Sequence, residues 1–544
     1  MSTVGTQDWT EACRLDELVD GQPRTAAGVT LVRNGDAVHA CGARCPHMGY
    51  PMVNGTVRDG VITCAWHKWE FDLRSGGCYR GACDDLAIYP VEIRDGTVFV
   101  AKTRAGDRDE GERQLREGLM MGDPYLQAKA AAQLQRAGTE LDRIVAIGVD
   151  AAFAHSVGAH QSMQAVREAG AVVNAGRLAQ LVGSRQQLTV LLQGLRMAAG
   201  RVGDRPAVTP LPPPWDQELL FTRLEDYVDD SSALGVERIL LTLLAAGTTQ
   251  DELATRCFDL ASRAWFVDDR NRFIAVVDAL EIARAAERPE VFAALCAWVL
   301  GAPREEPDAD GRDAQAWLKQ HASEVAAVSP GAADIDQSAV DELITINQVA
   351  PLCDKLLGWL NDGIAPGAII DGISLLCARR VARLWPNNGG MWGSAINGLR
   401  LVHAWRRAAQ HASGAHQVQA LFLIVFYLFE SRWLVAGKPW EAVAGDGARY
   451  AESFGQLEND AARANAVALL ESGERADLLG AWLAPLVEED LGIDQLATLV
   501  AALAEQEHQQ EWQPYIAGMV TWIMDGKAGQ EVLAAARFGR SFTA

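Results

Sequence analysis

The chain has 544 residues, 49% of them hydrophobic, with 49 Lys and Arg against 71 Asp and Glu and a net charge of −22. That length exceeds one hydrophobic core and calls for at least two domains. The acidic balance argues against nucleic-acid partners, whose phosphates it would repel, and the longest apolar run, residues 420–429, is about half of a bilayer span, so no membrane partner is expected.

The opening MSTVGTQDWTEAC has no apolar stretch behind a basic start, so no signal peptide is read there and a cytoplasmic protein is expected. From Trp9 to Lys102 the pattern is strand and turn. Val29–Val32 and Ala37–Ala40 flank Asn34-Gly35-Asp36; residues 57–63 contain Asp59-Gly60; and Val91–Ile93 and Val98–Val100 flank Asp95-Gly96. Each is a hairpin pattern, and together they predict a small antiparallel β-sandwich. His39 lies on one of these strands and reads as a structural histidine.

Within this segment stand Cys45-Pro46-His47 and, sixteen residues on, Cys64-Ala65-Trp66-His67. Each short loop offers one thiolate and one imidazole. Two Cys and two His suit a 2Fe-2S cluster, with thiolates on one iron and neutral imidazoles on the other. Zinc accepts the same ligands, but zinc fingers usually pair Cys with Cys and His with His, and here each loop is mixed. The remaining cysteines read as reduced thiols; Cys78 and Cys83 are near in sequence, yet a cytoplasmic setting disfavours a bridge.

On these residues the segment 8–101 resembles the Rieske family, of the type found in bacterial ferredoxins and at the front of ring-hydroxylating oxygenases. CPHMGYP and CAWHKWEFDLRSG match its two cluster loops. The resemblance implies a 2Fe-2S cluster with Cys45 and Cys64 on the inner iron and His47 and His67 on the outer one. Lys68 stands where the family most often has Gly. The extra loop cysteines of high-potential members are absent, which implies the low-potential, ferredoxin-like class.

Residues 103–115 (TRAGDRDEGERQL) are charged with almost nothing apolar and read as a linker between a domain at 1–102 and an all-helical region at 116–544. Strand patterns nearly vanish beyond it. Helices are predicted near 124–137, 140–168, 175–200, 216–230, 232–246, 337–361, 367–384, 394–411, 416–436 and 460–506. Thr249 and Glu252 form a capping box, the proline-rich 206–214 is a stiff connector, and acidic breaks near 303–336 permit two lobes.

His155 and His160, in DAAFAHSVGAH, resemble the iron-binding H-x4-H stretch of Rieske oxygenases, although that family's catalytic domain is rich in β-structure and this segment is not. With His416 they are the candidate ligands of a second, mononuclear nonheme iron. His403 and His411 lie eight apart, on loosely one helical face. Asp278, Glu281 and Glu430 sit in strongly apolar helices and read as solvated helix edges. The helical region also resembles the questin oxidase-like nonheme-iron oxygenases, on the His155/His160 stretch, the PLPPP connector and the helix after AWFVDDRNRF. It departs from them at Asn271, where a His is expected, and at Asp278, where a modified Lys would serve.

These observations predict an iron-sulfur oxidoreductase in which the cluster passes electrons to a nonheme-iron oxygenase site in the helical region. Its donor would be a reductase or ferredoxin, and its substrate a small organic molecule. The alternative is an electron carrier or redox sensor whose helices form a docking scaffold without metal. No di-iron site is expected, because Glu505 and His508 form the single E-x-x-H.

Overall fold

The computed structural model describes residues 9–80, 85–101, 107–154, 162–198, 208–264, 272–303, 306–384, 391–411, 415–434, 441–456, 459–525 and 529–540. An N-terminal β-sandwich is followed by a large helical region. Among the described residues no helix is long and apolar enough to cross a membrane.

Ten strands build the sandwich: β1 (Trp9–Arg14), β2 (Arg24–Ala26), β3 (Val29–Asn34), β4 (Ala37–Gly42), β5 (Thr56–Arg58), β6 (Val61–Thr63), β7 (Glu70–Asp72), β8 (Ile88–Tyr89), β9 (Val91–Arg94) and β10 (Thr97–Ala101). They form three antiparallel sheets ordered β1-β10-β9, β2-β3-β4-β8 and β5-β6-β7. The three predicted hairpins are present. Two turn on residue pairs with positive φ, Asp59-Gly60 and Asp95-Gly96, which matches the twist of the strands they join. Because side chains alternate along a strand, β3 serves two cores. Val29 and Leu31 pack with Cys13, Ala40, Val98 and Val100 between the first two sheets. Val32 faces the other way, into a second core with Ile62, Phe71, Leu86, Cys45 and Cys64. His39 lies on β4, and burial lowers its pKa first of all, in keeping with a structural residue.

The chain divides into two compact units that do not follow the predicted boundary. The first combines residues 1–115 with 125–140 and 534–544; the second takes 116–124 and 141–533. The stretch expected to be a linker is helical from Asp107 to Met121. Its charges are held in local ion pairs such as Arg113–Glu110 at 2.6 Å, and Leu115 and Leu119 are buried while Met120 and Met121 at its end are exposed. In the first unit the helix Pro124–Arg136 meets the first part of that helix, where a Cβ on Gly111 would lie 3.0 Å from the Leu134 side chain. It also meets the helix Glu531–Arg540: Tyr125 stands edge-on to Phe538 at 5.4 Å.

In the second unit, several long predicted helices are shorter pieces. The 140–168 prediction resolves into Leu141–Ala154 and Ser162–Gln180, 337–361 into Gln337–Asp341 and Val349–Asn361, and 460–506 into Asn459–Glu471, Arg475–Leu486 and Ile493–Glu505. Inside the expected acidic break, Asp308 caps the helix Ala309–Gln320 by accepting from the Gly311 amide at 2.8 Å. The Thr249–Glu252 capping box is formed as predicted.

One position ties the loops of the first unit together. Gly76 has φ +80°, and a Cβ there would lie 1.9 Å from the Leu86 carbonyl oxygen, which accepts no side chain without backbone movement. The Leu86 amide in turn donates to the Gly76 carbonyl at 2.8 Å. Gly76→Ala combines this clash with a left-handed backbone and is expected to destabilise the first unit by about 2 kcal/mol or more. Urea unfolding followed by tryptophan fluorescence measures it.

Candidate metal centre

Two loops carry the four predicted ligands, one between β4 and β5 and the other between β6 and β7. They repeat one backbone design. In the first, the Cys45 amide donates to the Tyr50 carbonyl and the Gly49 amide to the Cys45 carbonyl, both at 2.8 Å. In the second, the Cys64 amide donates to the Trp69 carbonyl at 2.8 Å and the Lys68 amide to the Cys64 carbonyl at 3.1 Å. Each turn therefore closes on its own cysteine, and each uses a residue with positive φ to do so: Gly49 at +70° and Lys68 at +60°. The glycine expected at position 68 has this steric reason.

The turns bring the four side chains together in two like pairs. Cys45 and Cys64 are buried at the floor, each 1% exposed, and their thiols lie within hydrogen-bonding reach of each other. The imidazoles of His47 and His67 stand above, edge to face, with ring centroids 4.8 Å apart. Burial pushes the Cys64 thiol up, and the backbone amides of Trp66 and His67 directed at its sulfur act against that. Burial, and then the neighbouring His67, push His47 towards the neutral form in which imidazole binds metal. His47 Nδ1 is buried with no hydrogen-bond partner among the described residues.

This arrangement fits a binuclear cluster better than a single zinc ion. Among the described residues no three His, Cys, Asp or Glu side chains are placed to hold one ion. A thiol pair below and an imidazole pair above offer two ligands to each of two metals instead. The rim on the imidazole side is exposed: His67 and Lys68 face solvent, and Trp66 and Met48 are 52% and 45% exposed. Trp66 lies against His67 with centroids 4.1 Å apart.

A further residue reaches this site from outside the sandwich. Lys129, on the helix Pro124–Arg136 and only 5% exposed, places its Nζ 3.4 Å from the Pro46 carbonyl, between Cys45 and His47. Nothing in the sequence links positions 83 residues apart, and sequence reasoning missed it.

The predicted second iron site is not assembled from the described residues. His155, His160 and Asn271 lie outside them. His416 is in the helix Ala415–Glu430, with its side chain outside the described set. His403 and His411 are committed to different neighbours: His403 Nδ1 to Glu505 at 3.3 Å, and His411 to Arg284 at 3.2 Å. Asp278 and Glu281, expected at solvated edges, are paired with arginines instead. Asp278 accepts from Arg407 at 3.0 Å, and Glu281 from Arg177. Glu505 does not meet His508, which is exposed; it is fully buried beneath Arg406 and His403. Burial would push its carboxyl up, but the hydrogen bonds and charge of His403 and Arg406 outweigh this and hold it at about 2.

Lys68 makes one side-chain contact of note, donating to the Ala65 carbonyl at 2.9 Å. Lys68→Gly removes the strain of a left-handed lysine and is expected to stabilise the metal-free first unit by about 1 kcal/mol. Chemical unfolding of both proteins under chelating conditions checks this, and a destabilised variant would mean that the Ala65 contact outweighs the strain.

Comparison with known proteins agrees with the geometry. Residues 8–90 match the family model described as Rieske [2Fe-2S] domain. Human apoptosis-inducing factor 3 is 34% identical over 106 residues, 18% of this chain and only 17% of that protein's length. The ferredoxin component of the alkene monooxygenase system of Xanthobacter autotrophicus is 29% identical over 98 residues, 17% of this chain and 80% of that one. Among solved structures, a complex of oxygenase and ferredoxin in carbazole 1,9a-dioxygenase matches at 27% identity over 18% of this chain and 94% of that one, with a TM-score of 0.17. With its two paired-ligand loops, the N-terminal segment of this chain is a Rieske 2Fe-2S domain of the kind found in the ferredoxins of oxygenase systems.

Proposed function

We propose that this protein is a one-electron relay whose N-terminal domain serves an oxidoreductase reaction. The observation that carries the proposal is the two-and-two placement of Cys45 with Cys64 and His47 with His67 in twin turns. A 2Fe-2S cluster, when bound, supplies a one-electron couple with a potential raised by its neutral ligands. Cys45 and Cys64 hold the buried iron and His47 and His67 the outer one. The amides of Trp66 and His67 offset negative charge on the Cys64 sulfur. Exposed His67, Trp66 and Met48 form the face on which a reductase or ferredoxin docks as donor, apolar at its rim and open to partners of modest affinity.

The acceptor we propose is a mononuclear nonheme iron in the helical region, with His155 and His160 as its first ligands and a small organic molecule as its substrate. Support for it comes from the H-x4-H stretch and from the ferredoxin role of the relatives in oxygenase systems. An iron assay on anaerobically purified protein tests it: three iron atoms per chain are expected. Two would leave an electron carrier whose helices act as scaffold.

Two sets of variants test the relay. Cys64→Ser should lose most of the cluster's visible absorption, and His67→Cys should keep a cluster at a lower potential because thiolate adds negative charge. Unchanged absorption or potential would remove these residues from the ligand set. Lys129→Met takes a buried cation away from the first loop and disfavours the reduced, more negative state. A loss of about 1 kcal/mol, or ~40 mV for one electron, is expected, and protein-film voltammetry reads it.

A further inference from the structure

The two ligand loops share a feature beyond their backbone. In the second loop the Lys68 ammonium donates to the Ala65 carbonyl at 2.9 Å. Ala65 directly follows Cys64, and the amide of that same peptide, from Trp66, is directed at the Cys64 sulfur. A cation on the carbonyl oxygen polarises the peptide and strengthens its N–H as a donor. One ammonium thus fixes the peptide after the cysteine and bears on the sulfur through it.

In the first loop the peptide in the same place joins Pro46 to His47. The residue matching Lys68, four after the cysteine, is Gly49, which has no side chain to bring an ammonium. Lys129 brings one instead. Its Nζ lies 3.4 Å from the Pro46 carbonyl, a longer contact of the same kind on the equivalent atom. Arg44 holds the far end of this turn, donating to the Gly49 carbonyl at 3.1 Å. The His47 ring is steadied by packing, with centroids 4.8 Å from His67 and 5.2 Å from Trp69.

A buried ammonium is stable only among partners and in a fixed place. The charge of Lys129 also bears on Glu110, whose carboxyl Arg113, Gln114 and Lys129 hold low, in that order. The backbone that carries Lys129 is fixed from the other side by the helix Glu531–Arg540. A Cβ on Gly539 would lie 2.4 Å from the carbonyl oxygen of Ala128, the residue before Lys129. Phe538 stands edge-on to Tyr125, one turn earlier on the same helix. A side chain at 539 would therefore push aside the turn that presents Lys129 to the loop.

We infer that Lys129 is a positioning residue for the first ligand loop, the counterpart of Lys68 in the second, and that the helix Glu531–Arg540 latches it there by closing on Ala128. Given the reading of Cys45 and His47 as cluster ligands, a helix some 490 residues further along the chain governs how firmly the loop keeps its iron and at what potential. Lys129 acts through the Pro46–His47 peptide and touches no metal.

The test uses the full chain, purified anaerobically with its cluster. Bleaching of the visible absorption in excess EDTA and the midpoint potential are the two readouts. Lys129→Met should bleach about fivefold faster than the wild type and show a lower potential, since a cation near the cluster is gone. Lys129→Arg, which keeps a cationic donor, should restore both. Gly539→Ala should reproduce the faster bleaching and the lower potential. The double variant should be no worse than Lys129→Met alone, because both changes act through one contact. If Gly539→Ala fails to fold, Phe538→Ala, which removes only the ring facing Tyr125, takes its place with the same expectation. Wild-type bleaching and potential in Lys129→Met, or effects that add in the double variant, would overturn the inference. A wild-type chain that takes up no cluster would overturn the ligand reading instead, and amide exchange of the metal-free protein then decides. The Gly49 amide should exchange about fivefold faster in Lys129→Met; equal exchange would overturn the inference.

Discussion

The N-terminal site depends on one backbone constraint: a turn that closes on its own cysteine. Gly49 and Lys68 each return an amide to the carbonyl of the cysteine four residues earlier. That closure lifts the intervening histidine above the thiol regardless of whether one residue or two separate them. The difference between C-x-H and C-x-x-H is absorbed within the turn, and the outcome is the same. Two such turns, carried by neighbouring strands over one core of Ile62, Phe71 and Leu86, produce a buried cysteine pair and a histidine pair of which His67 is exposed. The two pairs thus differ in solvent exposure, cysteines inside and His67 outside.

Much of this was legible because its determinants are local. Residue type and spacing within two short loops single out the two cysteines and two histidines that meet, and Asp59-Gly60 and Asp95-Gly96 specify two of the hairpins around them. The helices were legible by composition, and their ends less so, since nothing apolar interrupts a segment such as 460–506 where the chain turns. The charged stretch 103–115 misled for a related reason. Its hydrophobic content is confined to its last residues, while its stability as a helix comes from pairs such as Glu110 with Arg113, which composition alone reads as solvated coil.

What could not be read is whatever spans the chain. Asp278 and Glu281 meet arginines 129 and 104 positions away, and Glu505 meets His403 across 102. A buried carboxylate announces that it needs a partner, but the sequence does not say which. For these three the partners include an arginine: Arg407, Arg177 and Arg406. Asp278, Glu281 and Glu505 are in this way engaged by side chains of the fold.

The first unit draws on the beginning of the chain, on residues 125–140, and on residues 534–544. A Cβ on Gly539 would lie 2.4 Å from the Ala128 carbonyl, so the late helix sits almost backbone to backbone against the earlier one. During synthesis the sandwich and its hairpins can form early, because their contacts are near in sequence. The helix that completes the unit emerges roughly four hundred residues afterwards, once the second unit has been made. The order of assembly is therefore nested: the sandwich first, the helical unit within the interval, and the last helix joining the first unit at the end.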